Sequence, residues 1–306
     1  MSSHSSIPPE MHSMRPLPLS TLSTLLKGFA SSQATVQVLT TIPAPSAPSS
    51  TPPSAPPNGP LQTLFVLDSS FNPPTLAHLQ IATSALVSSP PTAAPPRLLL
   101  LLAIQNADKA PKPAPFPHRL ALMQSLASAI HTQLPSPSTC PAIDIGVTKH
   151  PYYHSKASAL ATDPFYNPET PAISTQMTQI HLLGYDTLLR FFDAKYYSPP
   201  TEGGKPFDVL ADYFVRNRLR IMGRGKGGRE EVDEFVRRLK DGEMDEEGAK
   251  REWAERMEVV EGIEGDVSST RVREAIKAGD WDTVDELAVA GVKQFVQEEK
   301  LYLDEG

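Results

Sequence analysis

Two polar strings in this sequence have the residue types and spacing that phosphate binding requires. The first is SSFNPPTLAH, residues 69–78, which follows an apolar run. Thr75 and His78 stand at positions i and i+3, so on a helix both side chains project from the same side. A histidine there donates a hydrogen bond to a phosphate oxygen, more strongly when it is protonated. We therefore predict an anion site at this turn.

The same string contains signals for the start of a helix. Asn72 has a side chain suited to capping a helix. Pro73 or Pro74 suits the first turn, because the N–H group that proline lacks would be unpaired there. Since the remaining N–H groups of a helix N-terminus attract phosphate, the cap and the anion site are predicted to coincide.

The second polar string is VSSTRVR, residues 267–273, which precedes a helical pattern near the end of the chain. Ser269 and Thr270 can cap that helix or turn their hydroxyl and N–H groups to phosphate oxygens. Arg273 adds a planar cation whose donors suit bidentate contact with phosphate. These residue types predict a second phosphate-binding helix start.

Four further residues follow predicted strands. Lys109 and Lys112 come after the second long strand, where a lysine can neutralise charge that develops in a transition state. Gly184 allows a ligand to approach the backbone, and Asp186 can accept a hydrogen bond from a ribose or a base. Either lysine alone is equally typical of a flexible surface side chain, whereas Gly184 and Asp186 as isolated residues are typical of a helix start.

The composition excludes several classes of function. The chain has 306 residues and a net charge of -7, so a basic nucleic-acid-binding face is not predicted. Cys140 is its only cysteine, which excludes an intrachain disulfide and a cysteine-based metal site and is typical of the cytoplasm or nucleus. The longest apolar run, residues 98–104, is much shorter than a membrane span. We expect small anionic partners, no nucleic acid and no membrane.

Strand and helix patterns alternate from residue 61 onward. The predicted strands are residues 61–67, 97–104, 142–147, 179–183, 219–222 and 258–263. The predicted helices are residues 76–87, 116–130, 155–161, 186–192, 207–215 and 230–239, with further helices from about 269 and 281. Continuous apolar strands between helices are typical of a parallel sheet covered on both faces. The sequence therefore predicts an α/β fold with a Rossmann-like doubly wound parallel sheet, whose ligand crevice lies at the carboxyl ends of the strands.

A Pro-rich N-terminal extension precedes this regular part. Residues 1–42 are predicted to contain a helix at 19–29 and a strand at 35–41, which can add to the edge of the sheet. Residues 43–60 are rich in proline and serine and are predicted to form a loop or loose linker. Residues 61–306 are predicted to form the main domain.

The first string resembles the GSFNPxHxxH signature of the nicotinamide and nicotinate mononucleotide adenylyltransferases, within the HxGH nucleotidyltransferases. The second resembles that family's ISSTxxR motif, and GYDTL at residues 184–188 resembles its GxDxL element. Ser69 stands where the family commonly has Gly, and Thr75 stands where it commonly has the first His. The resemblance covers residues 61–303 and indicates a fungal-type branch of the family.

This resemblance implies the nucleotidyltransferase α/β-phosphodiesterase fold and the transfer of AMP from ATP to NMN or nicotinate mononucleotide, with NMN favoured. It implies Mg²⁺ on the ATP phosphates without a dedicated protein cage. The catalytic residues it implies are His78, Lys109 and Arg273. The ATP-binding residues it implies are Ser70, Phe71, Asn72, Thr75, Gly184, Asp186, Ser268, Ser269 and Thr270. The mononucleotide-binding residues it implies are Lys112, Tyr152, Tyr153, Tyr197 and Arg224.

Other functions stay open on the sequence. The same scaffold suits a cytidylyltransferase or a pantetheine-phosphate adenylyltransferase, although ISSTxxR and GxDxL together disfavour both. Thr75 and the long extension are also compatible with an ATP-binding regulatory protein or an ATP hydrolase whose transferase site has degenerated.

Overall fold

The structure is a computed structural model that describes residues 16–45, 54–59, 61–89, 95–105, 114–136, 140–167, 177–198, 201–223, 225, 227–262 and 265–303. Its strands are β1 (Val36–Ile42), β2 (Thr63–Asp68), β3 (Arg97–Ala103), β4 (Ile143–Thr148), β5 (Thr178–Gly184), β6 (Arg218–Met222) and β7 (Met257–Val260). They form one seven-stranded sheet in the order β1-β4-β3-β2-β5-β6-β7. All neighbouring pairs are parallel except β1 and β4. The predicted α/β class with a doubly wound sheet is confirmed.

Helices cover both faces of this sheet. They are α1 (Leu19–Ser31), α2 (Leu76–Val87), α3 (Phe116–Gln133), α4 (Tyr153–Thr162), α5 (Tyr185–Phe191), α6 (Ala211–Arg216), α7 (Gly228–Asp241), α8 (Ser269–Ala278), α9 (Trp281–Leu287) and α10 (Val292–Glu298). None of the helices in the described ranges is both long enough and apolar enough to cross a membrane.

Side chains of the central strands alternate between two apolar layers. Phe65 and Leu67 of β2 pack in the layer that contains α2, α3 and α8. Leu64 and Val66 point to the opposite face, where they pack with Leu160 of α4. Because both faces are covered, the strand has to be apolar throughout rather than at every second residue.

The chain order places a topological switch at β2. From β2 the sheet continues through β3 and β4 on one side and through β5, β6 and β7 on the other. In doubly wound sheets the loops after such neighbouring strands run in opposite directions and open a crevice at their carboxyl ends. The first polar string follows directly from β2, so the fold places it at this crevice.

The N-terminal extension contributes to the same sheet. Its strand β1 pairs antiparallel with β4 at the sheet edge. Ala55, within the segment expected to be a loose linker, is held by both backbone groups: its N–H donates to Thr41 Oγ1 at 3.1 Å and its carbonyl accepts from Arg97 Nη2 at 2.7 Å. Arg97 in turn pairs with the buried Asp144 of β4 at 2.7 Å. At this point the segment is fixed to the body, and the division at residues 42 and 60 stays a prediction.

Candidate active site

A cavity of about 380 Å³ lies at the carboxyl edge of the sheet, within the size range of small-molecule sites. It is bounded by the ends of β2, β5 and β6 and by the starts of α2, α5 and α8. The predicted residues that line it are Thr75, His78, Gly184, Asp186, Ser268, Ser269 and Thr270. The fold thus brings the two polar strings and the GYDTL element to one cavity, at the switch point between β2 and β5.

Thr75, and not Asn72, caps α2. Thr75 and His78 form a reciprocal capping box, in which each side chain accepts a hydrogen bond from the other residue's backbone N–H group. The prolines at residues 73–74 therefore precede the cap, and the prediction that one of them occupies the first turn is wrong. Asn72 is instead buried, and its Oδ1 accepts a hydrogen bond from the hydroxyl of Tyr302 at 2.8 Å.

The hydrogen bonds of His78 determine its tautomer. The backbone N–H of Thr75 donates to Nδ1 at 3.1 Å, so the proton of the neutral ring lies on Nε2. Nε2 lies 2.9 Å from Ser69 Oγ, and both residues line the cavity. Burial lowers the pKa of His78 from 6.5 to about 4. At neutral pH His78 is therefore an uncharged N–H donor rather than a protonated one.

The two polar strings contact each other directly. Ser269 Oγ donates to the carbonyl of Pro73 at 2.7 Å. Arg273 Nη1 donates to the carbonyl of Asn72 at 2.8 Å, and its Nη2 donates to Thr270 Oγ1 at 3.1 Å. The start of α8 therefore fixes the turn that leads into α2.

This turn contains a strained residue. Phe71 is fully buried and has φ of 45°, in the left-handed region that bulky side chains rarely adopt. Such conformations persist where the surroundings determine them strongly, and they are concentrated at functional sites. Here the contacts to Asn72 and Pro73 from α8, together with Tyr302, supply that constraint.

The N-terminus of α8 is the second helix start at the cavity. Ser268 caps it by accepting a hydrogen bond from the backbone N–H of Arg271 at 3.3 Å. Thr270 is exposed in the first turn. Because helix N-termini carry partial positive charge, the starts of α2 and α8 together make the cavity favourable for an anion.

The GYDTL element forms the opposite wall. Gly184 ends β5 and occupies the cap position of α5, and Asp186 is exposed in the first turn of that helix. A Cβ atom added at Gly184 would meet no atom within 4 Å, so there is open space beside its backbone. A ligand can therefore reach the backbone of Gly184 while it contacts the carboxylate of Asp186.

The chain is also similar in sequence to a known protein. A Schizosaccharomyces pombe protein provisionally named nicotinamide mononucleotide adenylyltransferase is 31% identical to it over 226 residues, which are 72% of this chain and 78% of that protein. The chain belongs to the nicotinamide mononucleotide adenylyltransferase family. It is therefore a nucleotidyltransferase, as the two polar strings predict. No family model matches the sequence.

Two solved adenylyltransferase structures are also similar to the chain, at low sequence identity. The nicotinic acid mononucleotide adenylyltransferase of Plasmodium falciparum, complexed with NaAD, has a TM-score of 0.46 and 13% identity over 79% of this chain and 97% of its own. A nicotinate-nucleotide adenylyltransferase, so named provisionally, of Vibrio parahaemolyticus has a TM-score of 0.34 and 14% identity over 80% of this chain and 98% of its own.

The tyrosines predicted to bind the mononucleotide pack together in this family member. Tyr153 lies edge-on to His181, with ring centroids 5.6 Å apart. Tyr197 is buried, and its hydroxyl donates to the carbonyl of Phe191 at 2.7 Å. Tyr152 is half-buried, with its ring 6.3 Å from that of Tyr197. None of the three lines the described cavity, and stacking on a pyridine ring stays a prediction.

Several predicted residues of this adenylyltransferase are not placed in the cavity wall. Ser70 is exposed in the turn, whereas Phe71 and Asn72 are buried in it. Arg273 contacts the turn through the carbonyl of Asn72. Three further predicted residues lie outside the described residues, namely Lys109, Lys112 and Arg224. Within the described ranges, no group of three or more His, Cys, Asp or Glu side chains is arranged to hold a metal ion.

Sequence reasoning missed three charged residues at this site. Asp68 and Arg190 line the cavity, and Lys156 of α4 forms a buried ion pair with Asp68. Asp68 carried a usable signal, because a carboxylate at the end of an apolar strand points to the crevice. Lys156 carried none, since its partner is distant in the sequence and lysines are ordinarily exposed.

Proposed function

We propose that this protein transfers the adenylyl group of ATP to NMN, forming NAD and releasing pyrophosphate. The observation that carries the proposal is the convergence of His78 and the N-termini of α2 and α8 on one cavity at the switch point of the sheet. The name of the S. pombe relative supports a pyridine mononucleotide as the acceptor.

In this proposal ATP spans the cavity. Its triphosphate lies between the N-termini of α2 and α8, where backbone N–H groups and the hydroxyl of Thr270 act as donors. Its adenosine lies along Gly184 and Asp186, whose carboxylate accepts from a ribose or base donor. His78 Nε2 then faces the α-phosphate.

The reaction is an in-line displacement. An oxygen of the NMN phosphate forms a bond to the α-phosphorus, and the bond from that phosphorus to the bridging oxygen breaks, with the electron pair leaving on pyrophosphate. A phosphate monoester has its second pKa near ~6 and is already ionised at neutral pH, so a general base is not needed. The protein's contribution is alignment and stabilisation of charge.

Charge stabilisation comes from neutral and cationic donors together. The Nε2–H of His78, which lies beside Ser69 Oγ in the free protein, donates to the α-phosphate when ATP is bound. Arg273 contacts the turn at Asn72 and the hydroxyl of Thr270. We propose that it supports the β- and γ-phosphates through Thr270. Lys109 is proposed to approach the α-phosphate, and Lys112 and Arg224 the mononucleotide. Mg²⁺ would enter with the ATP phosphates and neutralise them, since Mg²⁺ keeps most of its water and few protein ligands.

The proposal is tested by measuring pyrophosphate release from Mg-ATP with purified protein, alone and with NMN, nicotinate mononucleotide, phosphopantetheine, or CTP with choline phosphate. Products are identified by mass. NAD formed only when NMN is present supports the proposal. Release without an acceptor identifies an ATP hydrolase, and binding of ATP without turnover identifies a regulatory protein; either result refutes the transferase.

The single cysteine supports a cytoplasmic or nuclear location, which imaging of the tagged full chain would test.

A further inference from the structure

A buried ion pair forms part of the cavity wall. Asp68 is the last residue of β2, and its Oδ2 accepts a hydrogen bond from Lys156 Nζ of α4. The two side chains are 7% and 4% exposed. Asp68 lines the cavity, whereas Lys156 lies behind it. The contact with Lys156 leaves Oδ1 of Asp68 without a partner among the described residues.

The surroundings of the pair do not tolerate an unpaired charge. Lys156 Nζ lies 5.1 Å from the ring centre of Tyr153, and the neighbouring His181 is a fully buried imidazole. Burial, with the charge of Lys156, lowers the pKa of His181 to about 3, so this ring is neutral. A buried ion pair is costly unless its geometry is good, and breaking it leaves an uncompensated charge. Lys156 therefore holds the carboxylate of Asp68 in place through this direct contact.

From this geometry we propose that Asp68 is a binding residue for the acceptor mononucleotide and accepts a hydrogen bond from one of its hydroxyl or amide donors. Lys156 is the positioning residue that holds the carboxylate toward the cavity. This inference rests on the proposed function and deepens it, since it names the protein contact of the second substrate.

The assignment to the acceptor follows from the two halves of the fold. Each half of a doubly wound sheet binds one mononucleotide. Gly184 and Asp186 belong to the half that contains β5 and α5, where the adenosine is proposed to lie. Asp68 faces the cavity from the half that contains β2, β3, β4 and α4. A carboxylate accepts hydrogen bonds only, so it suits a sugar hydroxyl or a carboxamide and repels a phosphate.

The experiment measures KM for ATP, NMN and nicotinate mononucleotide, and kcat, in the wild-type chain and two variants. The double variant Asp68→Asn/Lys156→Gln removes both charges, so neither is left buried alone. We expect its KM for NMN to rise about 10-fold or more, because a hydrogen bond to a charged group is lost. Its KM for ATP should stay within about 2-fold. Lys156→Arg keeps the charge and should hold the KM for NMN within about 3-fold of the wild-type value.

A matched control separates binding from stability. Arg97→Gln/Asp144→Asn removes a second buried ion pair, which lies at the opposite end of β3 and β4 from the cavity. It should lower the melting temperature and leave the KM values for ATP and NMN unchanged.

Comparison of NMN with nicotinate mononucleotide identifies which group of the second substrate donates the hydrogen bond to Asp68. A KM rise for NMN alone identifies the carboxamide as the donor, and an equal rise for both mononucleotides identifies a hydroxyl. An unchanged KM for NMN in the double variant, or an equal rise for ATP, overturns the inference. If the wild-type chain forms no NAD, the proposed function fails, and calorimetric binding of NMN to the same variants tests the contact directly.

Discussion

His78 is a donor whose chemistry is set by its neighbours. The N–H of Thr75 occupies Nδ1, so the only ring proton is on Nε2, the atom beside Ser69. With a pKa of about 4 the ring is neutral throughout the physiological pH range. In the proposed reaction a neutral donor is sufficient, because the helix N-termini, with Mg²⁺ if it enters with ATP, would supply positive charge to the phosphates.

Two substitutions at this position separate the donor from the ring. We expect His78→Ala to lower kcat about 10²- to 10³-fold, the usual cost of removing one donor to a developing charge. His78→Gln retains an N–H donor near the position of Nε2 and should lose less. Circular dichroism should show that both variants fold. Wild-type turnover in the alanine variant would remove His78 from the reaction.

For single residues, the sequence predicts which side chains lie at the cavity better than it predicts which residues they contact. His78, Ser269 and Thr270 could be predicted to lie at the cavity because they stand at helix starts beyond the carboxyl ends of strands, where such sheets have their crevice. Their contacts could not be read from the sequence. The pairing of Asp68 with Lys156 joins two elements that only the packing of α4 on the sheet brings together.

The elements around the cavity are held by one another rather than by local sequence. The turn from β2 to α2 is braced by α8 and by the segment after α10, which carries Tyr302. The apolar residues of the sequence are sufficient to predict β2, α2 and α8 themselves, because each of these elements contains several buried apolar side chains. The cap of α2 was misplaced because Asn72 and Thr75 are both good caps. Asn72 instead turns into the core, where its side chain accepts a hydrogen bond from Tyr302.

Removal of one brace tests the role of the turn. Tyr302→Phe deletes the hydroxyl that donates to Asn72, and we expect it to destabilise the fold by about 1 kcal/mol. Because the strained turn positions the start of α2, kcat should also fall several-fold. Tyr166→Phe is the matched control, since its hydroxyl bonds Asp144 away from the cavity. It should lower stability alone. Equal kinetics in both variants would show that the brace is only structural.

The extension is an element of the sheet as well. Thr41 of β1 donates to Asp144 at 2.7 Å and accepts from Ala55, so one hydroxyl joins the edge strand, the core and the Pro-rich segment. The low apolar content of that segment predicts a loose linker. Its hydrogen bonds are made by backbone groups of Ala55, and amino-acid composition does not predict such bonds.

Thr41→Val keeps the shape of this buried side chain and removes both hydrogen bonds. We expect a loss of about 1.5–3 kcal/mol in the free energy of unfolding, because one partner is a buried carboxylate. Thr24→Val makes the same change on the exposed face of α1 and should alter stability by less than about 0.5 kcal/mol. Denaturant unfolding measures both. Similar effects of the two changes would mean that the extension is not fixed to the core.

At the scale of the whole molecule, a buried histidine links stability to pH. His181 packs between Tyr153 and Tyr213, and neither ring nitrogen has a partner in the described part of the chain. Burial lowers its pKa from 6.5 to about 3 in the folded protein. Between these values the unfolded chain binds a proton that the folded chain does not, so stability falls as the pH falls.

His181→Phe should remove this dependence. At pH 5 an unfolded-state pKa of 6.5 corresponds to about 2 kcal/mol of stability lost to protonation, which the phenylalanine does not lose. The free energy of unfolding of the variant minus that of the wild type should therefore be about 2 kcal/mol more positive at pH 5 than at pH 8. The difference at pH 8 reports packing alone and serves as the internal control. A difference that does not change between the two pH values would show that His181 binds its proton in the folded state as readily as in the unfolded chain.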